Sequence, residues 1–171
     1  MEFRTKIPIV KQANNRIDYS SKVLLMGSCF AENIGKKLEY FKFQSSINPF
    51  GILFHPKAIE SCITHVINSK SYSNEDVFLH NERWHCFEAH SKLSHPNKEV
   101  LLEDLNTNIT QTNLRIKSAT HLIITLGTSW VYRHIESDII VANCHKIPQK
   151  KFVKELLSVD EVRQSLEAIV A

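Results

Sequence analysis

The sequence predicts a layered α/β fold with a largely parallel sheet, and three observations predict it. Apolar runs of strand length alternate with helical patterns along the chain. The stretch KVLLMGSCFAENIGKKL, residues 22–38, passes from strand to glycine to serine to helix without a break. Polar residues follow directly on three strand-like runs: Gly27 with Ser28, Gly127 with Thr128 and Ser129, and Asn143 with His145. In an open parallel sheet such positions share the carboxyl edge, where ligands bind.

Residues 1–21 read as an irregular arm, with turn-type residues at Asn14, Asn15, Ser20 and Ser21. The first strand covers 22–26. A helix over 28–41 follows, because Phe30, Ile34 and Leu38 recur on one face. A short second strand is predicted at 43–45. Pro49 and Gly51 break regular structure within INPFGILFHP, residues 47–56, and leave backbone N–H groups free to face a ligand. Pro56 suits a first helical turn, so a second helix runs on to residue 68. Its apolar stripe is Ile59, Ile63 and either Val66 or Ile67.

Residues 77–79 and 83–87 flank His80, Asn81 and Glu82 as a small hairpin. A long helix spans 97–118, with Leu101, Leu105, Ile109, Thr112 and Ile116 on its inner face. The run 121–126 is the most strand-like of the chain and stops at Gly127. Residues 139–142 are predicted to add a further strand to the sheet. Ser158 and Glu161 make a capping box for a last helix carrying Val162, Leu166 and Ile169. Four strands are few for a doubly wound sheet, and the last helical pattern reaches Ala171 with no stop signal. The expectation is one domain over 1–171, incomplete at its carboxyl end.

A chain of 171 residues with 43% hydrophobic content can bury one sizeable core. Charged residues are scattered and the net charge is only +3, which argues against a nucleic-acid partner. No apolar run reaches spanning length, and MEFRTKIPIVKQ has no secretory h-region. No membrane partner is expected, and a cytoplasmic location is. The cysteines 29, 62, 86 and 144 lie far apart with no CxxC pair, so four free thiols in a reducing compartment are expected. No cofactor is expected. A free sheet edge in a strand-poor chain would let it form a homo-oligomer.

Ser28 reads in two ways. It is a preferred N-cap residue. It also lies where unpaired helix N–H groups favour negative charge, which suits a nucleophile whose target becomes an oxyanion. His145 is either a base beside that edge or a loop residue bonded to backbone. Cys29 follows Ser28 but faces elsewhere on the helix start, so a buried, inert thiol is expected. Histidines 80, 85, 90 and 95 are spaced by five, which suits neither one helix face nor one strand face, and no metal site is expected there. Trp84 and Trp130 are expected in the core or a pocket wall.

The string GSCFA, residues 27–31, resembles the signature of the GSCFA family, within the wider SGNH (GDSL-like) hydrolases. NPFGILFHP at 48–56, RWHCFEAHSKLS at 83–94, TLGTSWVY at 125–132 and VANCHKIPQ at 141–149 resemble further segments of that family, in the same order. The resemblance implies a flavodoxin-like three-layer α/β/α sandwich. It also implies hydrolysis of an O-acyl ester, of a small molecule or a glycan, with Ser28 as nucleophile. Gly51 would join the oxyanion hole. The G-x-N-D pattern of SGNH enzymes reads here Gly127, Thr128, Ser129, Trp130, so its asparagine is replaced, and Asn143 stands as the substitute donor. Substrate contacts are expected from Asn48, Gly127, Thr128, Ser129 and His90. The family's D-x-x-H base has no match, since Asp160 is followed at the third position by Arg163. That base is expected beyond residue 171, the chain matching the first half of the family. The other reading is a ligand-binding relative or fragment without turnover.

Overall fold

The computed structural model describes residues 7–10 and 13–171. Residues 13–21 carry no helix or strand, as expected of an arm. The rest of the arm, residues 1–6, 11 and 12, lies outside the described residues.

Strand β1 (Lys22–Gly27) is buried from its second residue on. A strand with both faces covered reads as a continuous apolar run, and VLLM does. Helix α1 (Cys29–Tyr40) returns the chain to β2 (Gln44–Ile47), parallel to β1 with Leu25 opposite Ile47. Helices α2 (Pro56–Ile67) and α3 (Lys98–Ser118) lead to β5 (His121–Thr125), parallel to β1 on its other side. The sheet order is β2-β1-β5.

Alternate residues of β1 divide the core. Val23 and Leu25 pack with Ala31, Ile34 and Leu38 of α1. Leu24 and Met26 face the opposite side, with Ile59, Ile63 and Val66 of α2 and Leu101, Leu105 and Ile109 of α3. Helices thus cover both faces of the sheet. The stripes predicted for α2 and α3 are the buried ones, with Val66 inside and Ile67 exposed. Helix α4 (Val159–Val170) begins at the capping box of Ser158 and Glu161 and adds Ile169 to the larger cluster.

Three departures from the sequence reading have physical causes. The parallel sheet has three strands among the described residues, and the run predicted as its fourth is elsewhere. Strand β7 (Ile139–Val141) pairs antiparallel with β6 (Trp130–His134), which pairs antiparallel with β8 (Phe152–Leu156). Asn143 and His145 therefore do not sit at the carboxyl edge of the parallel sheet. Strands β6 and β8 escape a hydropathy reading because charged residues interrupt them, with Arg133 of one bonded to Glu155 of the other at 2.8 Å. The hairpin is shorter than predicted: β3 (Phe78–His80) and β4 (Arg83–His85) are joined through Asn81 and Glu82, both at left-handed φ.

Two side chains also differ from expectation. Cys29 is exposed, because the first helical position after the cap turns its side chain outward. Phe30, predicted on one face of α1 with Ile34 and Leu38, is 60% exposed, and Ala31 packs with those two instead. Trp130 is 45% exposed, with the Lys154 ammonium 4.4 Å from its ring centroid. All four cysteines are free thiols. No described helix is long and apolar enough to cross a membrane.

The tightest point of this frame is Gly27. Its φ is 131°, and a Cβ there would lie 2.1 Å from the Thr125 carbonyl oxygen. Neither the dihedral nor the space admits a side chain. Gly27→Ala is expected to cost about 3 kcal/mol or more from overpacking and backbone strain together. An unchanged urea midpoint in that variant would refute this close approach of β1 to β5.

Candidate functional site

The site grows from the turn that Gly27 permits. Ser28 is the N-cap of α1, with extended backbone at φ −72° and ψ 177°. Its N–H points back to Thr125, 3.0 Å from the carbonyl oxygen and 3.1 Å from Oγ1. Its Oγ accepts from the Phe30 N–H at 3.3 Å and shares a hydrogen bond with the Thr125 hydroxyl at 3.0 Å. The cap and the candidate nucleophile are thus one hydroxyl, held at the positive end of α1. Ser28 is only 7% exposed.

Two loops close over the turn. Asn48, at φ 42°, donates its N–H to Leu25 O at 2.9 Å, and its side-chain oxygen accepts from the Gly27 N–H at 2.8 Å. Gly51, at φ 75°, donates to Asn48 O at 2.8 Å. A Cβ at Gly51 would come within 2.4 Å of the His90 Cβ, and the His90 N–H donates to Phe50 O at 2.9 Å. Phe54 O accepts from the Gly127 N–H at 2.8 Å and from the Thr128 N–H at 3.1 Å. A Cβ placed on Gly127 would lie 3.5 Å from that of Ser28. Ser28, Asn48, Gly51, His90, Gly127 and Thr128 are therefore neighbours. Ser129 immediately precedes β6, its carbonyl accepting from the Leu157 N–H at 3.0 Å.

Asn143 and His145 belong to a second cluster behind the 86–90 segment. The Ala142 N–H donates to Phe87 O at 2.8 Å, and the side-chain oxygen of Asn143 accepts from the His145 N–H at 2.8 Å. His145 Nε2 lies 2.7 Å from Cys86 O, which can only accept, so the ring carries its proton on Nε2. Nδ1 is left buried and unpartnered among the described residues. Burial pushes the His145 ring down to about 4. His85, whose ring centroid is 4.7 Å away, is lowered by burial as well and bonds Ser94 Oγ and His80 O. These neutral rings fasten β4 and the 86–90 segment to the loop after β7. Among the described residues, no histidine is hydrogen-bonded to Ser28 Oγ.

Two residues escaped the sequence reading. Thr125 bonds both the N–H and the hydroxyl of Ser28. It stands at the end of the most strand-like run, but its register against Gly27 is a tertiary fact. His55 caps α2, its Nδ1 accepting from the Ala58 N–H at 3.1 Å, while Nε2 donates to Val141 O at 3.0 Å. Pro56 at the first helical turn was the available signal, since it makes residue 55 the cap.

Fold and site together define a mixed α/β protein whose candidate site is a serine-bearing turn between the central parallel strand and its first helix. The chain belongs to the GSCFA family, which matches it over residues 22–171. No curated protein and no solved structure matches the chain.

The buried histidines give the protein an acid-sensitive stability. His55, His85 and His145 all hold protons less tightly folded than unfolded, through burial. Stability from such groups is complete above the unfolded value of about 6.5 and falls as pH drops below it, for His145 down to about 4. His145 alone is expected to contribute about 3 kcal/mol over that window. Urea midpoints should decline between pH 7 and pH 4. A flat profile would show that these rings are not held neutral.

Proposed function

We propose that the chain carries the nucleophile of an SGNH-type serine hydrolase with a flavodoxin-like fold, acting on an O-acyl ester. The observation that carries this reading is the strand–glycine–serine–helix turn, with the Ser28 hydroxyl at the amino end of α1 beside Gly127 and with Gly51 tied to the turn through Asn48. Ser28 Oγ would attack the carbonyl carbon and pass its proton to a base. The tetrahedral oxygen would gain negative charge where the α1 dipole and nearby N–H groups favour it. Collapse would expel the alcohol with a proton and leave an acyl-serine for water to cleave.

In the resting geometry the Ser28 N–H is bonded to Thr125 and the Gly51 N–H to Asn48 O, so both oxyanion donors must be released for turnover. Asn143 and His145 sit behind the 86–90 segment, and His145, neutral with its free nitrogen buried, is a weak base. The proposal therefore takes its base from a histidine outside the described residues. A second reading, a ligand-binding relative without turnover, is favoured by the same committed N–H groups.

Intact mass after fluorophosphonate treatment tests the two readings. An adduct on Ser28, in this chain or in any natural extension of it, is the expected result. It should vanish in Ser28→Ala, which also loses the cap and about 1 kcal/mol of stability while keeping its circular dichroism. No adduct in either form would leave the binding reading.

A further inference from the structure

A cleft of about 390 Å³ opens between α1, the end of β2 and the segment carrying His90. Asn48 and Gly51 form its inner wall, and through the bond from the Gly27 N–H to Asn48 it adjoins the Ser28 turn. Three cations and two carboxylates line it, leaving one positive charge. Lys36 is taken by Glu32 at 2.6 Å. Lys92 and Arg115 have no carboxylate in ion-pair range among the described residues. Arg115 is instead tethered by Nη1 to Ser46 Oγ at 2.9 Å.

The neutral part of the wall is also short of partners. The Ser45 hydroxyl and the side-chain nitrogen of Asn48 are buried without a hydrogen bond among the described residues. Buried polar groups in native proteins find partners, so an orphaned hydroxyl and amide on two residues lining the cleft point to a ligand rich in hydroxyls. The apolar lining is confined to Ile47 and Ile52, too little for a long acyl chain.

We propose that this cleft binds a polyhydroxylated ligand bearing one oxyanion, a carboxylate or a phosphate, as in an acidic sugar. Lys92 and Arg115 bind the oxyanion. Ser45 and Asn48 bind hydroxyls. Resting on the reading of Ser28 as a nucleophile, the cleft then holds the alcohol portion of the ester and makes the substrate an ester of an acidic sugar.

The test is a ligand-observed NMR titration of the chain with D-glucuronate, glucose 6-phosphate and D-glucose. At least one acid should bind about tenfold or more tighter than glucose, as expected of charge-assisted bonds, and the tighter acid names the source. Its affinity should fall with added salt, because Lys92 and Arg115 are exposed. Lys92→Ala with Arg115→Ala should bring acid binding down to the glucose level with circular dichroism unchanged. Equal binding of glucose, salt-insensitive binding or no binding overturns the proposal, and these wild-type results stand whatever the variant does. Ser28→Ala should bind as the wild type does. Acid-selective binding without a fluorophosphonate adduct would remove the hydrolase reading alone, and an adduct without acid selectivity would remove this inference alone.

Discussion

The contact on which the rest depends is the close approach of Gly27 to the end of β5. A hydrogen is all that fits between the Gly27 Cα and the Thr125 carbonyl. That closeness lets Ser28 hand its N–H to Thr125 and turn directly into α1. It also pins the register of β1 against β5, with Gly27 opposite Thr125. A larger residue would part the strands, move the first turn of α1 and carry the serine away from the sheet edge.

Around that turn, bonds between backbone groups link one loop to the next. Leu53 donates to Gly27 O, His90 to Phe50 O, Gly127 and Thr128 to Phe54 O, and Ala142 to Phe87 O. Each bond ties one loop to the next, so the loop after β7 reaches the Ser28 turn through two intermediates. The neutral imidazoles of His55, His85 and His145 complete this lattice by donating to the backbone carbonyls of Val141, His80 and Cys86. Their role is that of fixed amide-like donors, which only an uncharged ring can fill in so dry a place. Lys70 braces the same segment from outside through Glu88 and Asp76.

On the proposed reading, one hydroxyl serves two demands at Ser28. A cap wants its oxygen aimed at helix N–H groups, and a nucleophile wants it free. The Thr125 hydroxyl reconciles these by sharing its hydrogen bond with Oγ, which holds the side chain in place. The adjoining cleft extends along the same helix, since Glu32 and Lys36 follow Ser28 at one and two turns. Any shift of α1 therefore moves serine and cleft together.

Local rules were enough for much of the fold. The apolar run of β1, the inward Ile34 and Leu38 of α1, the stripes of α2 and α3, and the Ser158–Glu161 box all depend on neighbours a few residues away, and the sequence displayed them. So did the strand-to-helix turn that presents Ser28, together with the family signature around it. What required the tertiary structure was pairing. Strands β6 and β8 are stabilised by each other and by an Arg133–Glu155 bond across 22 residues, so neither stands out alone. Strand β7 looked like a fourth parallel strand because a hydropathy run does not state its direction or its partner. With that strand went the expected edge position of Asn143 and His145. The bonds of Thr125 to Ser28 and of His55 to Val141 were invisible for the same reason, since those partners lie 97 and 86 residues away. A sequence records which groups want burial or a hydrogen bond; which distant group answers is settled only when the chain closes on itself.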